Sequence, residues 1–304
     1  MNCAPQTPRT SPSGVLVVDK SAGWTSHDVV ARVRRITGER RVGHAGTLDP
    51  AATGVLVVCV GGATRIVEYL AALGKSYSAT VRFGVETDTW DAEGDVVATG
   101  DADTLSLDLL EPLLERFRGA IEQIPPMYSA LKRNGTPLYR LARRGETVDR
   151  APRLVTIESL LVRRWSPPDL EVDVVCSKGT YIRSLAHDLG QAAGMGAHLA
   201  ALRRTAVGHF ALDQASTVDE LALDAAWRRR MLSTAEALKH LPALALDREA
   251  VAELRYGRAI PVAEAHDPET ALCALGPTGE LVAMLRPDAR PGWWRPEKVF
   301  PDHD

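Results

Sequence analysis

The 304-residue sequence holds four cysteines, Cys3, Cys59, Cys176 and Cys273, too scattered for a C-x-x-C pair or a Cys/His zinc spacing. That absence excludes a disulfide scaffold and a structural zinc module. It fits a reduced, cytoplasmic setting in which Cys59 and Cys176 fill apolar runs. Aromatic residues are only 5% of the chain, so a functional aromatic has to be found by its position. No apolar run approaches the roughly 20 residues that span a bilayer. The N-terminal M-N-C-A-P-Q-T-P-R-T-S-P-S has no apolar core of a signal peptide, and its Pro/Ser/Thr content predicts a disordered tail over residues 1–13. Positive charge is not in excess either. Against 36 basic residues stand 39 acidic ones, a net charge of −3, where a nucleic-acid-binding domain is usually basic.

What is present is unevenly distributed. Arg32, Arg34, Arg35, Arg40 and Arg41 crowd one stretch, and Arg140, Arg143, Arg144, Arg150 and Arg153 another. Acidic residues concentrate at 86–115 and in the C-terminal third, so a neutral chain can still present a positive face. Taken alone, each arginine cluster is more often just a solvated face.

The pattern of apolar residues predicts a buried strand over 14–20. A helix follows, capped by Thr25 or Ser26, with Val29, Val30, Val33 and Ile36 on one face and Gly38 at its end. Residues 38–54, without apolar period and rich in Gly, Thr and Pro, read as a loop. Then come a strand over 55–60, a helix over 63–73 closed by Gly74, and a half-exposed strand over 76–84. Further on, a helix is expected over 107–121, a Pro/Gly-rich segment over 124–137, a helix over 137–144, strands over 154–165 and 169–177, and a helix over 181–193. Strands and helices mix without a β-α-β repeat, which points to an α+β fold. After about Leu241 the character changes to a short helix and small strands, suggesting a separate C-terminal module.

The stretch with chemical potential is G-H-A-G-T-L-D-P at 43–50. Gly43 and Gly46 admit backbone conformations closed to other residues, and Pro50 biases Asp49 toward an extended conformation. Such a loop can hold His44 and Asp49 in a defined relation. By itself it reads more readily as a turn in which Asp49 makes an Asx contact and His44 lies on the surface.

The loop does not stand alone. V-V-D-K-S-A-G-W-T-S lies upstream. Downstream follow S-Y-S-A-T-V-R-F-G-V-E-T-D-T-W-D-A-E-G-D, Q-I-P-P-M-Y-S-A-L-K-R-N-G-T-P-L-Y, S-K-G-T-Y-I-R-S-L-A-H-D-L-G and G-A-H-L-A-A-L-R-R-T-A-V-G. In this order and spacing, over about residues 14–210, the chain resembles the TruB-type tRNA pseudouridine synthases. One departure is Ser21, where that family usually has proline, which leaves the turn looser.

The resemblance implies a mixed, mainly antiparallel pseudouridine-synthase sheet flanked by helices, in a catalytic domain over 14–240. It also implies a small PUA-like RNA-binding module over 241–304, although that match is faint. The implied reaction isomerises uridine 55 in the T-loop of tRNA: the N1–C1′ bond breaks, the base turns, and it rejoins through C5. Extruding the base costs on the order of a few kcal/mol. By resemblance Asp49 is the essential carboxylate, acting at C1′, at C6 or by a glycal route. Arg183 is its cationic partner, expected to lower its pKa by roughly 1–3 units. Tyr77 stacks on the extruded base and is a candidate for a late proton transfer. His44 fills the space the base leaves, and Tyr181 and Leu202 line the pocket. Lys20, Arg40, Arg41, Lys132 and Arg133 are candidate RNA-backbone contacts, with a structural role open for Lys20. No metal or organic cofactor is expected, and the partner is the T-arm of tRNA, without a membrane or an obligate protein, for a monomer. Two other readings are a guide-dependent enzyme of the dyskerin type and an RNA-folding chaperone with a vestigial catalytic loop.

Overall fold

The computed structural model describes residues 12–301 except 130, 134, 143, 147, 264 and 265, and not the side chains of Lys132 and Pro137. Residues 1–11 of the expected tail, Arg143 of the second arginine cluster and the acidic D-H-D at 302–304 therefore lie outside the described residues.

Ten strands among the described residues form one sheet. Its order is Ser216–Thr217, Gly14–Lys20, Thr53–Val60, Ala197–Val207, Lys75–Phe83, Asp169–Cys176, Arg153–Ser166 and Gly119–Gln123. Val42–His44 pairs with Thr53–Val60, and Phe210–Ala211 with Ala197–Val207. All pairings are antiparallel except two, Gly14–Lys20 with Ser216–Thr217 and Thr53–Val60 with Ala197–Val207. The fold is the expected α+β one.

The apolar runs V-L-V-V and V-L-V-V-C-V are explained by burial on both faces. Leu16, Val18, Leu56 and Val58 pack under the helix Ser26–Thr37, against Val29, Val30 and Val33. Val15, Val17, Val55 and Val57 face the other way, toward Ile66, Leu70 and Phe210. The helix begins as expected, with Thr25 and Asp28 forming a capping box, and ends on Gly38 in the left-handed region. A second helix, Ile182–Ala193, buries Ile182, Leu185, Ala186 and Leu189 against the alternate residues Tyr77, Ala79, Val81 and Phe83 of the strand Lys75–Phe83.

Several expectations are corrected. The stretch 38–54 contains the strand Val42–His44, too short to show a period. The helix expected over 63–73 is a 3-10 turn, Gly61–Ile66, followed by the helix Val67–Ala71. The helix expected over 107–121 ends at Glu115; Gly119 turns the chain at φ 80° and Gly119–Gln123 joins the sheet edge beside Arg153–Ile157. Tertiary pairing overrides local propensity there. The central strand Ala197–Val207 went unassigned in the sequence because its arginines and histidine break the apolar alternation.

Residues after 241 form a second sheet of Ala243–Ala245, Leu272–Leu275, Leu281–Pro287, Trp293–Val299 and Ile260–Pro261, with the helix Arg248–Arg255. Its Cys273, Leu281, Met284 and Phe300 share one buried cluster with Val15, Val57 and Leu70 of the large sheet. The module therefore packs onto the sheet rather than hanging from it.

Candidate active site

The loop carrying Asp49 is irregular backbone, so its polar groups need partners outside regular structure. Three buried side chains provide them. Ser26, at the start of its helix, accepts from the Leu48 N–H at 2.9 Å and donates to the Leu48 carbonyl at 3.1 Å. Lys20 donates to the carbonyls of Ser21, Trp24 and Pro50 at 3.0, 2.7 and 3.0 Å. Arg204 donates to the carbonyls of Val55, Thr47 and Gly46 at 2.7, 3.2 and 3.1 Å.

Lys20 is thus a correction to the set of RNA-backbone candidates. Its side chain is fully buried and its three donors are all satisfied by carbonyls. Burial lowers its pKa to about 8, with nearby Asp49 pulling the other way. It ties the turn at Ser21–Trp24 to Pro50 of the Asp49 loop.

Asp49 faces Arg183 at 3.0 Å, and its side chain remains 40% exposed, whereas that of Arg183 is 6% exposed. Arg183 is held on every side. Its guanidinium donates to the carbonyl of Tyr128 at 2.7 Å and that of Thr89 at 3.3 Å, and lies 3.3 Å from the Asp91 carboxylate. Asp91 is itself fixed by the Thr89 hydroxyl at 2.6 Å and the Glu93 N–H at 3.1 Å.

The electrostatic outcome differs from the sequence expectation. Desolvation raises the Asp49 carboxyl above its ordinary range; Arg183 pulls it down, and Asp91 pushes it up again. Burial is the largest influence, and Asp91, which shares the same guanidinium, adds to it.

Three cavities, of about 280, 300 and 490 Å³, all open onto Asp49 and Arg183. The first is walled by Lys75, Tyr77, Tyr181, Leu202 and Arg204, so Tyr77, Tyr181 and Leu202 meet beside Asp49. Tyr77 is 8% exposed and hydrogen-bonded to Arg204, and burial raises its pKa, so its phenol stays protonated at neutral pH. Tyr181 is held through its backbone: Gln123, itself buried, donates to its carbonyl at 3.0 Å and accepts from its N–H at 2.8 Å.

The other candidates lie apart. His44 lines none of these cavities; its half-buried ring meets His27 edge to face at 5.7 Å, and His27 lines the largest cavity. Burial lowers the His44 pKa, leaving a neutral imidazole at pH 7. Arg40 and Arg41 are exposed past the end of the helix Ser26–Thr37. Arg133 is exposed and donates to the Asp149 carbonyl at 2.7 Å; the Lys132 side chain lies outside the described residues.

Sequence reading did not single out Asp91, Gln123, Lys75 or Arg204. Asp91, Gln123 and Arg204 sit inside the quoted motifs and Lys75 directly before one, but spacing assigns them no role. Only the fold brings Arg204 under Gly46 and Asp91 onto Arg183.

Comparison with known proteins shows the family. A family model described as TruB family pseudouridylate synthase (N terminal domain) matches residues 34–182, and one described as tRNA pseudouridylate synthase B C-terminal domain matches residues 183–247. A tRNA pseudouridine synthase B from Syntrophotalea carbinolica is 46% identical over 276 residues, covering 88% of this chain and 90% of its own length. One from Thermobifida fusca is 54% identical over 219 residues, 69% of this chain and 75% of its own. Among solved structures, a Cbf5-Nop10-Gar1 complex superposes with a TM-score of 0.73 at 29% identity, covering 94% of this chain and 84% of the matched one. With its motifs in order, its sheet and its matches across most of its length in agreement, the chain belongs to the TruB family of pseudouridylate synthases.

Proposed function

We propose that this chain isomerises uridine 55 in the T-loop of tRNA to pseudouridine, with Asp49 acting on a base turned out of the RNA stack. The observation that carries the reading is the Asp49–Arg183 pair, 3.0 Å apart where three cavities meet, in a chain of this family.

Breaking N1–C1′ and rejoining the base through C5 conserves every atom of the nucleoside apart from an exchanged C5 proton. The work for the protein is to supply a carboxylate, a stacking surface and a closed space. Asp49 is the carboxylate; attack at C1′, attack at C6 and a glycal route each need it ionised. Arg183 favours that charge and is held in place by Asp49, Asp91, Thr89 and Tyr128. The Tyr77 ring stacks on the uracil in the cavity it shares with Tyr181 and Leu202, and base stacking of this kind contributes about 1–3 kcal/mol. Its protonated phenol can deliver a late proton. His44, neutral and outside the cavities, fills the place the base leaves in the T-loop.

The T-arm backbone is held by exposed cations, including Arg40, Arg41 and Arg133. The C-terminal module, packed against the sheet, adds an RNA-binding surface. The enzyme acts as a monomer in the cytoplasm, on tRNA alone, without a guide RNA or protein partner.

The test uses purified protein and an unmodified tRNA transcript. Wild type should form one pseudouridine, at position 55, with nothing else added; a requirement for guide RNA would favour the dyskerin-type reading. Asp49→Asn should bind the transcript within about threefold of wild type and form no pseudouridine. Wild-type turnover by that variant would overturn the mechanism, whereas a wild type that binds the transcript but forms no pseudouridine would leave the chaperone reading.

A further inference from the structure

Among the described residues, Trp90 alone combines a side chain with a positive φ, at 64°. A bulky residue adopts that left-handed conformation only when its surroundings over-determine it, and such positions gather at functional sites. The surroundings of Trp90 are unusual. Its indole lies flat on the ring of His187, with centroids 4.2 Å apart and planes 13° apart. The Arg150 guanidinium sits 5.6 Å from the same indole and donates to the Pro125 carbonyl at 3.0 Å.

The two residues flanking Trp90 both help to hold Arg183. The Thr89 carbonyl accepts from its Nη1, and the Asp91 carboxylate lies 3.3 Å from it. His187 stands four residues, about one turn, beyond Arg183 on the helix Ile182–Ala193. The indole therefore grips the same helix face that presents Arg183. Through Arg150 and Pro125 it also reaches the segment bearing Tyr128, whose carbonyl is a further acceptor of Arg183. The turn is anchored behind by the Leu199 N–H on the Trp90 carbonyl at 3.0 Å and by the Ala92 N–H on the Leu199 carbonyl at 3.1 Å.

We propose that Trp90 is a positioning residue for the chemical step. Its stack on His187 holds the 89–91 turn in a conformation its backbone would otherwise leave, and that turn sets the guanidinium of Arg183 against Asp49. Trp90 lines none of the three cavities that meet at Asp49. It acts through Arg183, so its loss should slow chemistry more than it weakens RNA binding. The inference rests on the pseudouridine-forming reading above, which wild-type turnover tests separately.

The experiment measures single-turnover pseudouridine formation at saturating tRNA transcript, the transcript Kd and the melting temperature, for W90G, W90F, H187L and the W90G/H187L double variant of the full chain. Glycine accepts φ 64° but offers no ring; phenylalanine keeps a flat face. W90G should lose roughly tenfold to a hundredfold in rate, the scale of a misplaced catalytic group, with Kd within about threefold. W90F should recover most of that loss. H187L should lose rate comparably, and the double variant little further, because both changes break one stack. A W90G rate equal to wild type would overturn the proposal, as would a loss confined to Kd. So would rate losses of W90G and H187L that simply multiply. If W90G fails to fold, H187L against W90F decides: a wild-type rate in H187L overturns the proposal, and a slowed H187L beside an active W90F supports it.

Discussion

Asp49 keeps 40% of its side chain open to the cleft, yet removal from water outweighs its ion pair and lifts its pKa above the ordinary carboxylate range. Two outcomes follow from that direction. Turnover should need the ionised form, so the acid limb of kcat/KM against pH should fall above pH of about 4, where a free aspartate titrates. A rate profile flat down to that pH would contradict it. Stability should show the opposite face of the same shift. A carboxyl whose folded pKa exceeds its unfolded value lowers stability once ionised; the penalty is absent below about pH 4 and complete above the raised value. Asp49→Asn should therefore melt higher than wild type at pH 7, with the difference shrinking as the pH falls toward about 4. Arg183 keeps Asp91, Thr89 and Tyr128 in that variant, so no buried cation is orphaned. Differential scanning calorimetry of the two proteins across pH reads the result.

At the scale of elements, the site depends on two strands approaching closely. Thr53–Val60 runs parallel to Ala197–Val207, with Gly54 opposite Arg204. Gly54 has φ 102°, and a Cβ there would lie 2.1 Å from the Arg204 carbonyl oxygen. Only glycine lets the strands meet, and that meeting brings the Arg204 guanidinium beneath Gly46 and Thr47. Gly54→Ala should destabilise the chain by more than about 2 kcal/mol, or prevent soluble expression. A denaturant midpoint equal to wild type would refute the close-approach account. Arg204→Met keeps much of the volume but strands three carbonyls. It should lower stability by roughly 2–5 kcal/mol and remove activity, because the Asp49 loop loses its support and Tyr77 its partner.

For the whole molecule, the packing of the C-terminal sheet matters as much as the cleft. Phe300, 1% exposed, shares a cluster with Val15 and Leu70. Around it, Tyr69 bonds Glu297 at 3.1 Å, and Lys298 and Arg65 bind across the same seam. Cutting the chain after residue 240 would uncover this apolar face. The shortened protein should aggregate or melt well below the full chain, and Phe300→Ala in the full chain should cost about 3–5 kcal/mol. Independent melting of an intact 12–240 fragment would contradict the shared core. The charge of the molecule leads to a different measurement. With a net charge of −3, attraction to RNA has to come from local arginine clusters, so affinity for tRNA should fall at least roughly tenfold between about 50 and 200 mM salt. Salt-insensitive binding would exclude a basic RNA face.

The sequence by itself determined the strand and capped helix at 14–37, because their apolar periods and capping residues act locally. Through motifs in order, it also pointed to Asp49, Arg183, Tyr77, Tyr181 and Leu202, which the fold brings to one cleft. Tertiary structure alone decided the rest. Whether Lys20 reaches RNA or carbonyls, whether 119–121 is helix or edge strand, and whether the Asp49 carboxyl is drawn below or pushed above its ordinary range depend on contacts between residues far apart in the chain. Burial and sharing of partners are properties of three-dimensional packing. A family resemblance can pair Arg183 with Asp49, but only the folded chain shows Asp91 drawing on the same guanidinium and the Trp90 indole stacked on His187 one turn away.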